Sequence, residues 1–588
     1  MESCLDNPSP GPREMPRKAP LNFSALPEEI LLQILTEVSQ SANDSCVVSL
    51  VSKRLNRIVT PIIYSTIVLP ARKGSSRHGS IDVRVKLQML RSTIDWAAQY
   101  IQHLGIYAPE GPLDIGSYPE RAQVCEAVLP ILVKIPPGQL RSFMWPYHAR
   151  PFPPIITHIQ KHQQNLETLI CYPETITGSL RDAGIPTTPF AFQNLRHMCI
   201  RGYINGTQIQ ELIECIRDIF RKLETLTVTT LVGDQLFWPF MRGNNVKVHP
   251  RSQTSNRDTY PLIKTFGCEG DDFWSRLLTN LNLWSISQLP NIRSLYARVC
   301  LSQHLLGNID PKVPILLTTL DVQGCTTRIL SEFLLAFQGL RNLDVLIDSG
   351  EDYLQPAPIE HHAATLKRLA LWRAGGVLTH SVPGLIPIPP SLMASLGDEL
   401  KVLEEFCAPV PREHDPFEGR RFPALKLIWL YNSNSDPSRL DYPPNYPWTP
   451  PPIWAIKDSP EWTLRDSALE REIDLPTTSL PKNLKAVAIG HYARLMNLYR
   501  DSEYTRSQPR PGYTASLYEQ VGDVSKRIAW KRISMKEFSS KHPGLLSPNE
   551  NTFGVELLER HQIFRSTELS GMLDPSGILP YIKPSLKN

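Results

Sequence analysis

Short segments of the form apolar-x-x-apolar-x-apolar recur along most of this chain, and their spacing constrains its fold more than any other feature. They read IQHLGI from Ile101, LRSFMW from Leu140, LETLIC from Leu166, LRHMCI from Leu195, LETLTV from Leu223 and IKTFGC from Ile263. They continue as IRSLYA from Ile292, LTTLDV from Leu317, LRNLDV from Leu340, LKRLAL from Leu366, LKLIWL from Leu425 and LKAVAI from Leu484. LKVLEE from Leu400 fits in part, because Glu405 takes the last apolar position. Between 140 and 425 most intervals are 23 to 29 residues, with steps of 40 before Ile263 and 34 before Leu400. Each segment has the alternation of a strand, and a unit this short buries its apolar edge only when neighbours stack on it.

Units of this length and pattern resemble leucine-rich repeats. The full pattern of that family adds Asn or Cys three residues after the last apolar position, which only Cys300 and Cys325 supply, so the resemblance is to irregular repeats. It implies an α/β repeat, a solenoid of strands with return segments between them. One return segment, IQELIECIRDIFRK at 209–222, predicts a helix with an apolar stripe of Ile209, Leu212, Ile213, Ile216, Ile219 and Phe220. Polar or proline-rich insertions at 108–120, 248–261 and 433–454 interrupt the period, and such insertions leave a solenoid on one face, where they serve recognition or spacing.

Composition agrees with a long folded array. A chain of 588 residues exceeds one ordinary core, and 41% apolar and 20% charged residues with 54 prolines describe a folded chain rich in loops. The 62 basic and 58 acidic residues leave a net charge of only +4, so nucleic acid is not an expected partner. No apolar run approaches the roughly 18 to 20 residues that span a bilayer, and the first 20 residues lack the apolar core of a secretory signal. The expectation is an intracellular protein, cytoplasmic or nuclear, with no membrane partner. Ten scattered cysteines without a C-x-x-C pair fit reduced, mostly buried thiols.

Ahead of the repeats stands a different kind of segment. In LNFSALPEEILLQILTEVSQ, Pro27 suits a first helical position and Glu28 and Glu29 favour the helix dipole. Ile30, Leu31, Ile34, Leu35 and Val38 then form one stripe. A second helical region carries Val47, Val48, Leu50, Val51, Leu55, Ile58 and Val59, Pro61 restarts or kinks the chain, and Tyr64 to Leu69 read as a β-rich exit.

Leu26-Pro27-Glu28-Glu29-Ile30-Leu31, followed by Ser49-Leu50-Val51-Ser52-Lys53-Arg54-Leu55 and the exit Thr60 to Leu69, resembles the F-box, in the form found in filamentous fungi. That family docks on the Skp adaptor and through it on a cullin ubiquitin ligase, while the rest of the chain captures a substrate protein. The resemblance implies docking through Leu26, Pro27, Ile30, Leu31, Ile34, Val51 and Leu55, with Lys53 and Arg54 at the rim. Leu55 and Ser52 stand where many members carry an aromatic residue and Cys. The expected organisation is a disordered leader at 1–20, an F-box at 21–69, an irregular leucine-rich-repeat solenoid at 70–494 and a cap or tail at 495–588.

Residues alternating with the buried positions of the repeats are expected on the open face of the sheet: Tyr296 and Arg298, Arg368 and Trp372, Trp429 and Tyr431. Aromatic and arginine side chains there suit protein capture. No motif for metal-dependent, serine or nucleotide chemistry is present, so no cofactor, metal or catalytic residue is expected. The pair His361 and His362 reads as a surface pair, and Glu269, Asp271 and Asp272 as a solvated acidic loop. KRIAWKRISMK at 526–536 reads as a charged helix face with Trp530 buried.

Overall fold

The computed structural model describes residues 26–38, 42–70, 97–107, 128–145, 153–171, 192, 194–204, 213, 216–217, 219–232, 259–269, 277–298, 302–347, 350–375, 384–409, 422–431, 483–489, 516–521, 529–533 and 541. The leader, the linker at 71–80, and the insertions at 108–120 and 433–454 lie outside them. The chain divides into two compact units, Met1–Tyr64 and Ser65–Asn588.

The first unit is built from α1 (Glu28–Val38), α2 (Ala42–Val51) and α3 (Lys53–Ser65). Its small core joins Leu31, Leu35, Ile58 and Val59, with Leu26, Val48, Leu55, Ile62 and Ile63 packed around them. Ser52 separates α2 from α3 for a local reason. Its hydroxyl accepts from the Leu55 backbone N–H at 3.1 Å, capping an N-terminal donor that α3 cannot satisfy itself. Arg54 donates to the Leu26 carbonyl at 2.6 Å and so ties the start of α3 to the entry of α1. Pro61 neither ends nor restarts this helix; it lies inside α3, which runs on to Ser65.

In the second unit the repeat pattern becomes a ladder. Strands β1 (Thr66–Pro70), β2 (His103–Tyr107), β3 (Ser142–Met144), β4 (Thr168–Cys171), β5 (His197–Ile204) and β6 (Thr225–Val232) pair in sequence order, all parallel. The order continues through β7 (Thr265–Glu269), β8 (Ser294–Arg298), β9 (Thr319–Gln323), β10 (Asn342–Ile347) and β11 (Arg368–Gly375). β12 (Gly384–Leu385) pairs antiparallel with the end of β11, and the parallel series resumes with β13 (Glu405–Pro409), β14 (Leu427–Tyr431) and β15 (Ala486–Ile489). Two antiparallel strands, β16 (Ser516–Val521) and β17 (Ala529–Ile533), complete a sheet of 17 strands among the described residues. The basic stretch around Trp530 is therefore a strand, not a helix. Ala529 to Ile533 pair antiparallel with Val521 to Leu517, and Trp530 and Ile533 are residue types that favour a strand.

The fourth position of each hexad forms one register row, from Leu104 through Phe143, Leu169, Met198, Leu226 and Phe266 to Leu295, Leu320, Leu343 and Leu369. All are buried in one continuous core with apolar residues of the return segments, including Ile131, Ile159, Ile216, Phe220, Leu330, Phe333 and Leu396. Each such side chain contributes roughly 1.5–3 kcal/mol by leaving water, and only the neighbouring repeat makes that burial complete. The row also corrects one hexad. Phe406 pairs with Leu369 on one side and Ile428 on the other, so the unit reads LEEFCA from Leu403 rather than LKVLEE from Leu400. Glu405 then turns to the face opposite the core, which removes the anomaly of an acid in an apolar position.

Candidate functional site

The first unit leaves an apolar surface uncovered. Val47, Leu50 and Val51 are 63%, 72% and 70% exposed, and their spacing of three and four residues puts them on one side of α2. Ile30 and Leu32 of α1 are exposed as well. A small module that exposes this many large apolar side chains carries a surface suited to a partner. Of the residues expected at a docking surface, Ile30, Val51, Pro27 and Lys53 are exposed. Leu26, Ile34, Arg54 and Leu55 are half-buried, and Leu31 belongs to the module's own core. Val47, Leu32 and Leu50 extend the exposed surface beyond the positions read from the sequence; the i, i+3, i+4 spacing of Val47, Leu50 and Val51 is a signal that could have found the first and last of these three, and none marks Leu32.

The second surface is the sheet face opposite the core. It is more covered than strand alternation implies. Tyr296 is 6% and Trp372 1% exposed, so neither stands open to solvent. Arg368 is committed internally: its Nε and Nη2 donate to Oε2 and Oε1 of Glu405 at 2.9 and 2.8 Å, a fork-to-fork pair across β11 and β13. The backbones of Arg298, Trp429 and Tyr431 lie in β8 and β14, and their side chains are outside the described residues. The same face carries polar cross-strand contacts, Asn342 Nδ2 to Thr319 Oγ1 at 3.0 Å and His197 Nδ1 with Thr225 Oγ1 at 3.2 Å. Cys407 lies here too, fully buried; burial, with Asp344 and Glu405 nearby, pushes its thiol well above the usual range.

His361 and His362 are not a surface pair. His362 is buried, its ring 4.9 Å from that of Phe337, and burial lowers its pKa to about 4. Among the described residues no group of three or more His, Cys, Asp or Glu could hold a metal ion. Asp271 and Asp272 lie outside the described residues, and Glu269 ends β7.

A third feature runs along the strand entries. The residue before each parallel strand from β2 onward donates its backbone N–H to the carbonyl of its counterpart in the preceding repeat, for example Lys264 to Glu224, Arg293 to Lys264, Arg341 to Thr318 and Lys367 to Arg341. The side chains of this ladder are mostly charged: Arg141, Glu167, Arg196, Glu224, Lys264, Arg293, Thr318, Arg341, Lys367, Glu404, Lys426 and Lys485 in order. Glu224 pairs with Lys264 at 2.6 Å and Arg196 at 3.5 Å, and Glu404 with Lys426 at 2.8 Å and Lys367 at 2.9 Å. The lysine hydrogen bonds, from Lys264 and Lys426 respectively, hold both carboxyls below the usual carboxylate value.

Residues 23–70 match the family described as F-box-like. With the parallel sheet, this defines the class: an F-box-like domain at the N-terminus, then a leucine-rich-repeat-like solenoid of parallel strands and helices. No curated protein matches the chain. Among solved structures, the leucine-rich repeat-containing protein LegL7 from Legionella pneumophila aligns at 10% identity and a TM-score of 0.17, over 76% of this chain and 99% of that one. The fold assignment rests on the ladder itself. Among the described residues no helix is long and apolar enough to cross a membrane.

Proposed function

We propose that this protein is the substrate-recognition adaptor of a Skp-cullin-F-box ubiquitin ligase, of the irregular-repeat kind found with the F-box in filamentous fungi. The observation that carries the reading is the exposed side of α2, Val47, Leu50 and Val51, inside the segment that matches the F-box-like family. Burying those side chains on the Skp adaptor would complete a module whose own core is small. The repeat would hold the target protein, and β16 and β17 would cap its end. Its mechanism is proximity, raising the local concentration of a target lysine beside the ubiquitin-charged enzyme, so no residue of this chain need perform chemistry.

The test is co-purification of the full chain with the Skp adaptor, comparing the native protein with Leu50→Glu and Val51→Glu. These positions are preferable to Leu31, where a charge would be buried and the module would unfold. Capture by the native chain, weakened at least about tenfold in both variants, is the expected result. Absence of capture, or capture indifferent to α2, overturns the docking assignment. Cullin in the same complex supports the ligase adaptor, whereas a stable Skp complex that never recruits cullin makes the protein an interaction scaffold instead.

A further inference from the structure

We infer that the strand-entry ladder carries a docking strip for a short carboxylate-rich peptide segment, centred on Arg293 and Arg341. This deepens the reading of the repeat as the target-holding part and rests on it, but not on docking to Skp. The ladder's acids are already engaged, Glu167 with Arg141 at 2.9 Å, Glu224 with Lys264 and Arg196, and Glu404 with Lys367 and Lys426. Between Glu224 and Glu404 the order is Lys264, Arg293, Thr318, Arg341, Lys367, with no acid among them. Both arginines are exposed, and neither has an ion-pair partner among the described residues. Arg293 uses Nη1 on the Leu316 carbonyl at 3.2 Å, and Thr318 between them donates its hydroxyl to the Arg293 carbonyl at 3.0 Å.

The geometry selects the ligand. Arg293 and Arg341 are two strands apart, hence roughly 9.5 Å along the ladder, and a peptide in the polyproline II conformation rises roughly 3.1 Å per residue with three residues per turn, so that side chains three residues apart share one side. Two carboxylates three residues apart therefore reach both guanidiniums, and each carboxylate can accept a planar, bidentate pair of N–H bonds. Length is limited as well. A long polyanion such as a nucleic acid, or an anionic membrane surface, would run past the strip onto strands where Glu224 and Glu404 compensate the neighbouring cations and leave less free positive charge. A segment of a few residues stays within it.

The experiment measures anisotropy of a labelled, otherwise uncharged peptide carrying two glutamates three residues apart, with the full-length protein at low salt. The expected result is saturable binding that falls at least about tenfold in Arg293→Gln/Arg341→Gln, and falls likewise when the two glutamates are placed side by side. Arg141→Glu, a charge reversal elsewhere on the ladder, leaves binding intact. No binding by the native chain, equal loss in Arg141→Glu, binding only when the glutamates are replaced by phosphoserines, or tighter binding of a single-stranded oligonucleotide or of anionic vesicles would each overturn the assignment. Skp co-purification of the same arginine variants is expected to be unchanged, so failure of the strip and failure of the adaptor reading give different results.

Discussion

His362 shows how a residue type acquires its properties from packing. Two adjacent histidines in sequence suggest solvent, yet one is folded against Phe337 and held neutral by burial. Its folded pKa of about 4 lies below the ordinary value of 6.5, so between those values the unfolded chain binds the proton and the folded chain does not. Its contribution to stability is complete above about pH 6.5 and is lost as pH falls toward 4. The expected outcome is that His362→Phe narrows the gap between urea midpoints measured at neutral pH and near pH 5, whatever it does to the midpoint itself. An unchanged gap would refute this assignment. The Arg368–Glu405 pair is the converse case, an arginine whose type suggests a binding surface but whose fork is spent on a carboxylate one strand away.

At the scale of elements, the hexads locate strands because alternation is local: whatever the neighbours do, the fourth position of a strand points opposite to the third and fifth. Where a repeat is irregular the pattern alone allows two registers. In β13, the pairing of Phe406 with Leu369 and Ile428 decides between them, and the large ring fills a core position that Glu405 could not. Phe406→Ala is accordingly expected to cost about 3–5 kcal/mol in chemical denaturation, the range for an aromatic cavity in a packed core. A loss below about 1 kcal/mol would mean that Phe406 does not belong to that row. α1 was legible from its stripe and acidic first turn, while the passage of α3 through Pro61 was not. A proline there costs one backbone bond, and only Ile58, Val59, Ile62 and Ile63 packing on both sides of it shows why the helix continues.

The whole molecule is a series in which each repeat completes its neighbour, and its ends are the points of greatest exposure. At the C-terminal end β16 lies antiparallel on β15 and is covered in turn by β17. Truncation before Ser516 is expected to leave β15 as an open edge, seen as self-association in light scattering and as faster amide exchange concentrated in β14 and β15. Unaltered exchange there would show that the antiparallel pair is no cap. The sequence by itself determined the repeat, the inward-facing row, the short helical module in front and its resemblance, because all of these are written as local periodicity. Tertiary structure alone decided the register of β13, the covering of Tyr296 and Trp372, the burial of His362 and the gathering of charges into one ladder. Those outcomes depend on residues that lie some 22 to 40 positions apart in the chain and meet only across paired strands and stacked repeats, a distance that no local pattern encodes.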